Sequence, residues 1–195
     1  MSSYAPAYMP ERSSPPDPRV FGKKGLYISY SFTQGANYDK LIALLKLLKL
    51  NAVIINMKND SGDILAPSDD PILKQVGAVW SYVNLKETFA RLKNDGIYII
   101  GRVVVFKDSY LYDYDNHKYA IKYKSGAPLQ KEPEKWVDPY SEFVWDYNIA
   151  AAKAIVAAGV DEVQFDYIRF PDLKGSQNDR VLFQYKRDRQ WMREA

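Results

Sequence analysis

The sequence contains no cysteine, which excludes disulfides, thiolate metal sites and cysteine nucleophiles. It has one histidine, His117, set in the polar stretch Asp113 to Lys118, so no second imidazole is at hand to build a metal site. That histidine reads as a surface residue. No apolar run reaches the roughly 18 residues that span a bilayer, and the N-terminus lacks the apolar core of a signal peptide. Charge of one sign is also missing: 27 basic against 24 acidic residues leave a net +3, too small and too dispersed to single out nucleic acid or a membrane surface as partner. Neither GxGxxG nor GxxxxGK[ST] follows any apolar run, so the usual phosphate-binding device of a nucleotide-binding α/β sheet is absent.

What is present is enough to build a core, with 47% apolar residues among 195 and an ordinary charged fraction for a globular domain. Residues 1–22 stand apart. Pro6, Pro10, Pro15, Pro16 and Pro18 among Ser and Arg cannot bury enough surface to fold, and this stretch is expected to be a poorly packed leader. Such a leader suits a surface protein after removal of an export signal, but localisation stays open. The folded domain is expected over 23–195.

Within it, Gly25 to Ser31 is a β-branched and aromatic run suited to a buried strand. Leu41, Leu44, Leu45 and Leu48 recur at i, i+3, i+4 and i+7 and predict one apolar helical stripe. Asn51 to Met57 reads as a second strand. A second helix is expected from Leu85 to Lys93, with Asn84 and Glu87 in capping-box spacing and Gly96 as its stop. The third strand is Ile97 to Phe106. Asp138-Pro139 predicts the start of a third helix, which ends at Gly159. The fourth strand is Val160 to Ile168, and an amphipathic stretch from about Asp179 to Arg193 offers Val181, Leu182, Tyr185 and Met192 for packing. Four strands each followed by a helix predict parallel βα units, paired in chain order. Without the phosphate loop, the expected fold is the N-terminal half of a (β/α)8 TIM barrel, whose eight units need roughly 250 residues. The chain is therefore expected to be truncated at its C-terminus or completed by a second copy through its open sheet edges, and to be inactive alone.

Barrel sites lie at the C-terminal ends of the strands. On the fourth strand, period two puts Gln164 and Asp166 on one face and Val163, Phe165 and Tyr167 on the other. A carboxylate there must be paired or hydrogen-bonded, either as a structural partner of Arg102 or Arg169 or as a group that acts on substrate. The same parity groups Asn56, Lys58 and Asp60 beyond the second strand and puts Arg102 on the lumen side of the third. Cations beside Asp166 would keep it ionised, which suits a nucleophile better than a proton donor. Lys58 and Asp60 read equally well as a solvated loop pair beside the turn former Gly62. Asp138 has the ordinary reading of a helix N-cap alongside a functional one. Trp80, Trp136 and Tyr140 fall in loops at the same end, where flat rings could stack on sugars or anchor the loops.

The segments Asn51 to Gly62, Gly101 to Asp108, Trp136 to Tyr140 and Gln164 to Pro171 resemble a family of bacterial glycoside hydrolase domains with barrel folds, from Lys23 to the end. The most specific string is Phe165-Asp166-Tyr167-Ile168-Arg169-Phe170-Pro171-Asp172, which also resembles the fourth strand of barrels that cleave α-galactosides or exopolysaccharides. The resemblance implies Asp166 as catalytic nucleophile or base. Arg169 and Pro171 would shape the loop after it. The candidate substrate-binding residues are Asp60, Lys58, Arg102, Trp136, Asp138, Tyr167 and Arg169, with an oligo- or polysaccharide as partner and no metal or organic cofactor expected. A general acid from later strands is absent, leaving Asp60, Asp108 and Asp138 as substitutes. The competing expectation is a non-catalytic carbohydrate-binding barrel or an inactive fragment.

Overall fold

The computed structural model describes residues 21–80, 84–129, 134–173 and 180–185. Almost all of the expected leader, and the end of the expected last amphipathic stretch beyond Tyr185, lie outside these residues. Four strands, β1 (Gly25–Ile28), β2 (Ala52–Lys58), β3 (Tyr98–Val104) and β5 (Glu162–Asp166), form one sheet in that order. Every pair is parallel. This is the strand order of a TIM barrel taken over four units.

Helices α1 (Ala36–Leu47), α3 (Leu85–Asn94) and α5 (Glu142–Ala158) connect the strands. They cover one face of the sheet, where Val53, Ile55, Met57, Ile99 and Val103 pack against Leu41, Leu45, Phe89, Leu92, Ala151 and Ile155. Period two accounts for the burial on the strands: these residues alternate with Ile54, Asn56, Ile100 and Arg102, which are only half-buried on the opposite, lumen face. Gly101 is needed for the closeness of α5, because a Cβ there would stand 2.8 Å from Ile155 Cγ2 and 3.2 Å from Val160 Cγ1.

Several expectations are corrected. The first strand stops at Ile28 and continues as a 3-10 turn, Tyr30–Thr33. On α1 the core side is Tyr38, Leu41, Ile42 and Leu45, whereas Leu44 and Leu48 are exposed. Helix α5 begins at Glu142 behind Ser141, not at Pro139, because Asp138 is spent on other backbone partners. Val181–Leu182 is not helical but a short strand, β6, antiparallel to β4 (Lys122–Tyr123). Two helices went unforeseen in the long connections, α2 (Pro71–Val76) and α4 (Ser109–His117), each capped by an aspartate, Asp70 and Asp108. The cap at Asn84 and the left-handed stop at Gly159 are as expected: Asn84 Oδ1 accepts from Glu87 N at 3.3 Å, and Gly159 has φ 111°.

Candidate functional site

Strand β5 ends with Asp166 on the lumen face, where its Oδ2 accepts from both Nε and Nη2 of Arg102 at 2.7 Å. Its Oδ1 accepts from the Tyr167 backbone N–H at 2.7 Å. Tyr167 makes this bond from a left-handed conformation, φ 54°, which a bulky residue adopts only when its surroundings impose it. Burial pushes the Asp166 carboxyl up, but the Arg102 hydrogen bonds, the Tyr167 N–H and the charges of Arg102 and Arg169 together hold it below the usual carboxylate range. Its side chain keeps 46% exposure, so it is an ionised oxygen pair open to a ligand.

Arg102 sits one strand away, paired in register with Gln164. Its remaining nitrogen, Nη1, donates to Asn56 Oδ1 at 2.9 Å and to Asp60 Oδ1 at 3.4 Å. Asp60 is held by the turn after β2, in which Asn59 Oδ1 accepts from the N–H groups of Ser61 and Asp63 at 2.9 and 3.0 Å. The other Asp60 oxygen meets Lys107 Nζ at 3.3 Å, and Lys107 in turn lies 3.8 Å from Glu134 Oε1. The result is a row of alternating charge across the strand ends: Asp166, Arg102, Asp60, Lys107, Glu134. Lys107 and Glu134 were not foreseen. Glu134 is brought in by the antiparallel bridge between Lys107 and Trp136, a long-range pairing that no local sequence pattern announces.

Aromatic rings floor this row. Lys107 Nζ lies 5.1 Å and the Arg102 guanidinium 5.8 Å from the Tyr167 ring centre, and Arg169 lies over both Trp136 and Tyr167, at 5.2 and 5.4 Å. Arg169 also donates to Asp172 Oδ2 at 3.0 Å. Trp136 itself is fully buried, so its ring anchors the loop through its Nε1–H bond to Glu134 Oε2, 3.1 Å, and offers no open stacking face.

Two expected site residues are elsewhere. The pairing of β2 with β3 slips between Asn56 and Lys58, and this bulge turns Lys58 away from Asn56 and Asp60. Lys58 is 0% exposed, bound to Asp108 Oδ2 at 2.7 Å and to the Val104 carbonyl at 2.6 Å, beside the Tyr147 ring. It is a buried structural ion, not a solvated loop partner of Asp60. Asp108 is equally buried and caps α4 through the Leu111 N–H. Asp138 is buried too: its oxygens accept from Tyr140 N at 3.0 Å and Tyr185 N at 3.2 Å, tying the 138–141 turn to the segment after β6. Burial pushes its carboxyl up, and these N–H bonds only partly offset the rise. Trp80 is partly exposed and donates to Tyr110 Oη at 3.4 Å, while Tyr140 packs among Phe170 and Phe183. His117 is half-buried, its Nδ1 2.9 Å from the Tyr112 carbonyl oxygen.

Among the described residues no helix is long and apolar enough to cross a membrane, and no three His, Asp or Glu side chains gather as a metal-holding group.

The family described as "Putative glycosyl hydrolase domain" matches residues 25–195. The chain belongs to this family. The chain is also similar to a solved hypothetical protein from Ruminiclostridium thermocellum ATCC 27405, at 28% identity and TM-score 0.73, covering 87% of each chain. Its fold is shared with a maltogenic alpha-amylase from Thermotoga neapolitana, 15% identical with TM-score 0.52, over 74% of this chain and 39% of that one. An uncharacterized Listeria monocytogenes EGD-e protein, solved in complex with alpha-D-glucose, beta-D-glucose, magnesium and calcium, is 12% identical with TM-score 0.51, over 74% of this chain and 16% of that one. No curated protein matches the sequence.

Proposed function

We propose that this domain hydrolyses glycosidic bonds in a polysaccharide or cell-wall glycan by a two-carboxylate mechanism, with Asp166 as the nucleophile. The observation that carries the reading is the ionised, half-exposed Asp166 carboxylate held by Arg102 at the C-terminal end of a barrel strand, where barrel enzymes place their chemistry. In a retaining reaction an oxygen of Asp166 attacks the anomeric carbon as the bond to the leaving oxygen breaks. A second carboxyl group protonates that oxygen, then takes the proton from the water that releases the sugar. Of the three substitutes expected on this chain, Asp108 and Asp138 are buried and committed to other partners, which leaves Asp60. Glu134, with one oxygen 3.8 Å from Lys107, joins it as a candidate. Tyr167 and Arg169 supply an aromatic surface and a cation for sugar hydroxyls, and Arg102 and Asp60 line the other side.

The test is glycan hydrolysis by wild type and Asp166→Asn, with oligosaccharide binding measured by calorimetry. Turnover should be lost to near background, because no covalent intermediate can form, while binding persists. Retained turnover would sink the assignment, and a wild type that binds glycan without cleaving it would favour a carbohydrate-binding barrel.

A further inference from the structure

Lys58 and Asp108 form an ion pair in which both side chains are 0% exposed. Stability is a poor reason for it, because the cost of taking two charges out of water offsets their attraction, and an apolar pair of similar volume often holds a fold equally well. What the pair adds is fixed geometry, and its bonds reach three loops. Lys58 ends β2, and besides Asp108 its Nζ binds the carbonyl of Val104, the last residue of β3, at 2.6 Å. Asp108 opens α4, its Oδ1 accepting from Leu111 N at 2.8 Å. The turn after β2 lies against the same carboxylate, into which a Cβ on Gly62 would run. The Ser61 carbonyl of that turn accepts from Ser109 N at 3.0 Å, and the Asp108 N–H donates to the Lys135 carbonyl, also at 3.0 Å. Asp60, Lys107 and Glu134, the far half of the charged row, are the chain neighbours of Ser61, Asp108 and Lys135. Each therefore stands one residue from a contact made at Asp108 or Ser109, and none of them lies within a strand of the sheet. Arg102 and Asp166, by contrast, are set by the register of β3 and β5.

We propose that Lys58 and Asp108 are positioning residues of the site: their buried pair staples the loops after β2 and β3 to the 134–137 segment, and so fixes where Asp60 and Glu134 stand relative to Asp166. Both are buried away from any substrate and act through the carboxylates that face it. The spacing they fix is the one that matters to the chemistry, since two carboxyls about 5–5.5 Å apart support direct attack on the sugar, and about 6.5–9.5 Å apart leave room for an attacking water. The effect on turnover rests on the glycosidase reading, whereas the placement of Asp60 is measured without substrate.

Two variants of the 195-residue protein loosen the staple in different ways. Gly62→Ala keeps both charges but pushes the turn off Asp108, and Asp108→Asn keeps a good helix cap but removes the charge that Lys58 needs. In each, the side-chain carboxyl ¹³C resonance of Asp60 should shift by more than that of Asp166. Leu45→Ala opens a cavity in the core under α1; it is the control for lost stability and should shift neither. With a glycan substrate, both staple variants should lose about 10²-fold in kcat, the cost of misplacing a reacting group by an ångström, with KM unchanged. An Asp60 resonance that stays in place in Gly62→Ala, or that shifts as much in Leu45→Ala, overturns the proposal. A shifted Asp60 with undiminished kcat overturns it as well. A wild type that cleaves no glycan contradicts the glycosidase reading instead, and the Asp60 resonance still decides whether the staple places that carboxylate. If Asp108→Asn does not fold, Gly62→Ala decides alone.

Discussion

Arg102 is the main partner that holds the Asp166 carboxyl below its usual range, because two of its nitrogens bind one carboxylate oxygen from the neighbouring strand. A carboxyl depressed in this way contributes stability above its unfolded pKa, and the contribution is lost as pH falls through the folded value. At 46% exposure solvent screens much of it, so the consequence is chemical more than thermodynamic: the carboxylate stays ionised to lower pH than an ordinary aspartate. Replacing Arg102 by Met should raise the Asp166 pKa toward the ordinary carboxylate range, read by carboxyl ¹³C NMR titration. An unchanged titration would mean that Arg102 is not its source. Asp166 and Arg102 were both legible in the sequence because each is a charge inside an apolar strand, and period two placed them on one face. Lys107 and Glu134 were not, since each lies in a long connection and they meet only through an antiparallel bridge.

At the scale of elements, the bulge in β2 shows where period-two reasoning stops. Asn56 keeps the lumen face, but the slipped register turns Lys58 into the interior, where Asp108, Val104 and Tyr147 surround it. Nothing in the string Asn56-Met57-Lys58-Asn59 announces that extra residue. Lys58→Met should destabilise the fold by about 3–5 kcal/mol, the usual result of stranding one member of a buried ion pair, as measured by urea unfolding. A loss within about 0.5 kcal/mol, ordinary for a surface site, would contradict its burial. Gly62 follows from the same geometry: its φ of 95° and the Asp108 carboxylate beside it leave no room for a Cβ. The capping signals at Asn84 and Gly159 were readable because they are local. The start of α5 was misread because Asp138-Pro139 carries the same local signal while its carboxylate serves the Tyr140 N–H two residues on and the distant Tyr185 N–H.

For the whole molecule, alternation of strand and helix was enough to foresee four parallel strands in chain order, and the missing phosphate loop separated a barrel from a nucleotide-binding sheet. The leucine stripe on α1 was half right, since Leu41 and Leu45 face the core with Tyr38 and Ile42 while Leu44 and Leu48 are exposed. The lumen face collects Asp166, Arg102, Asn56 and Asp60 because each lies at or just beyond the C-terminal end of a strand, and their function is read from that convergence. It is tested most directly by incubating the protein with a slowly hydrolysed activated glycoside and measuring the mass of the peptide that carries Asp166. The account predicts a mass increase of one glycosyl unit on that peptide, absent in Asp166→Asn. Turnover of the glycoside with no adduct on Asp166, or an adduct on a different carboxylate, would contradict it.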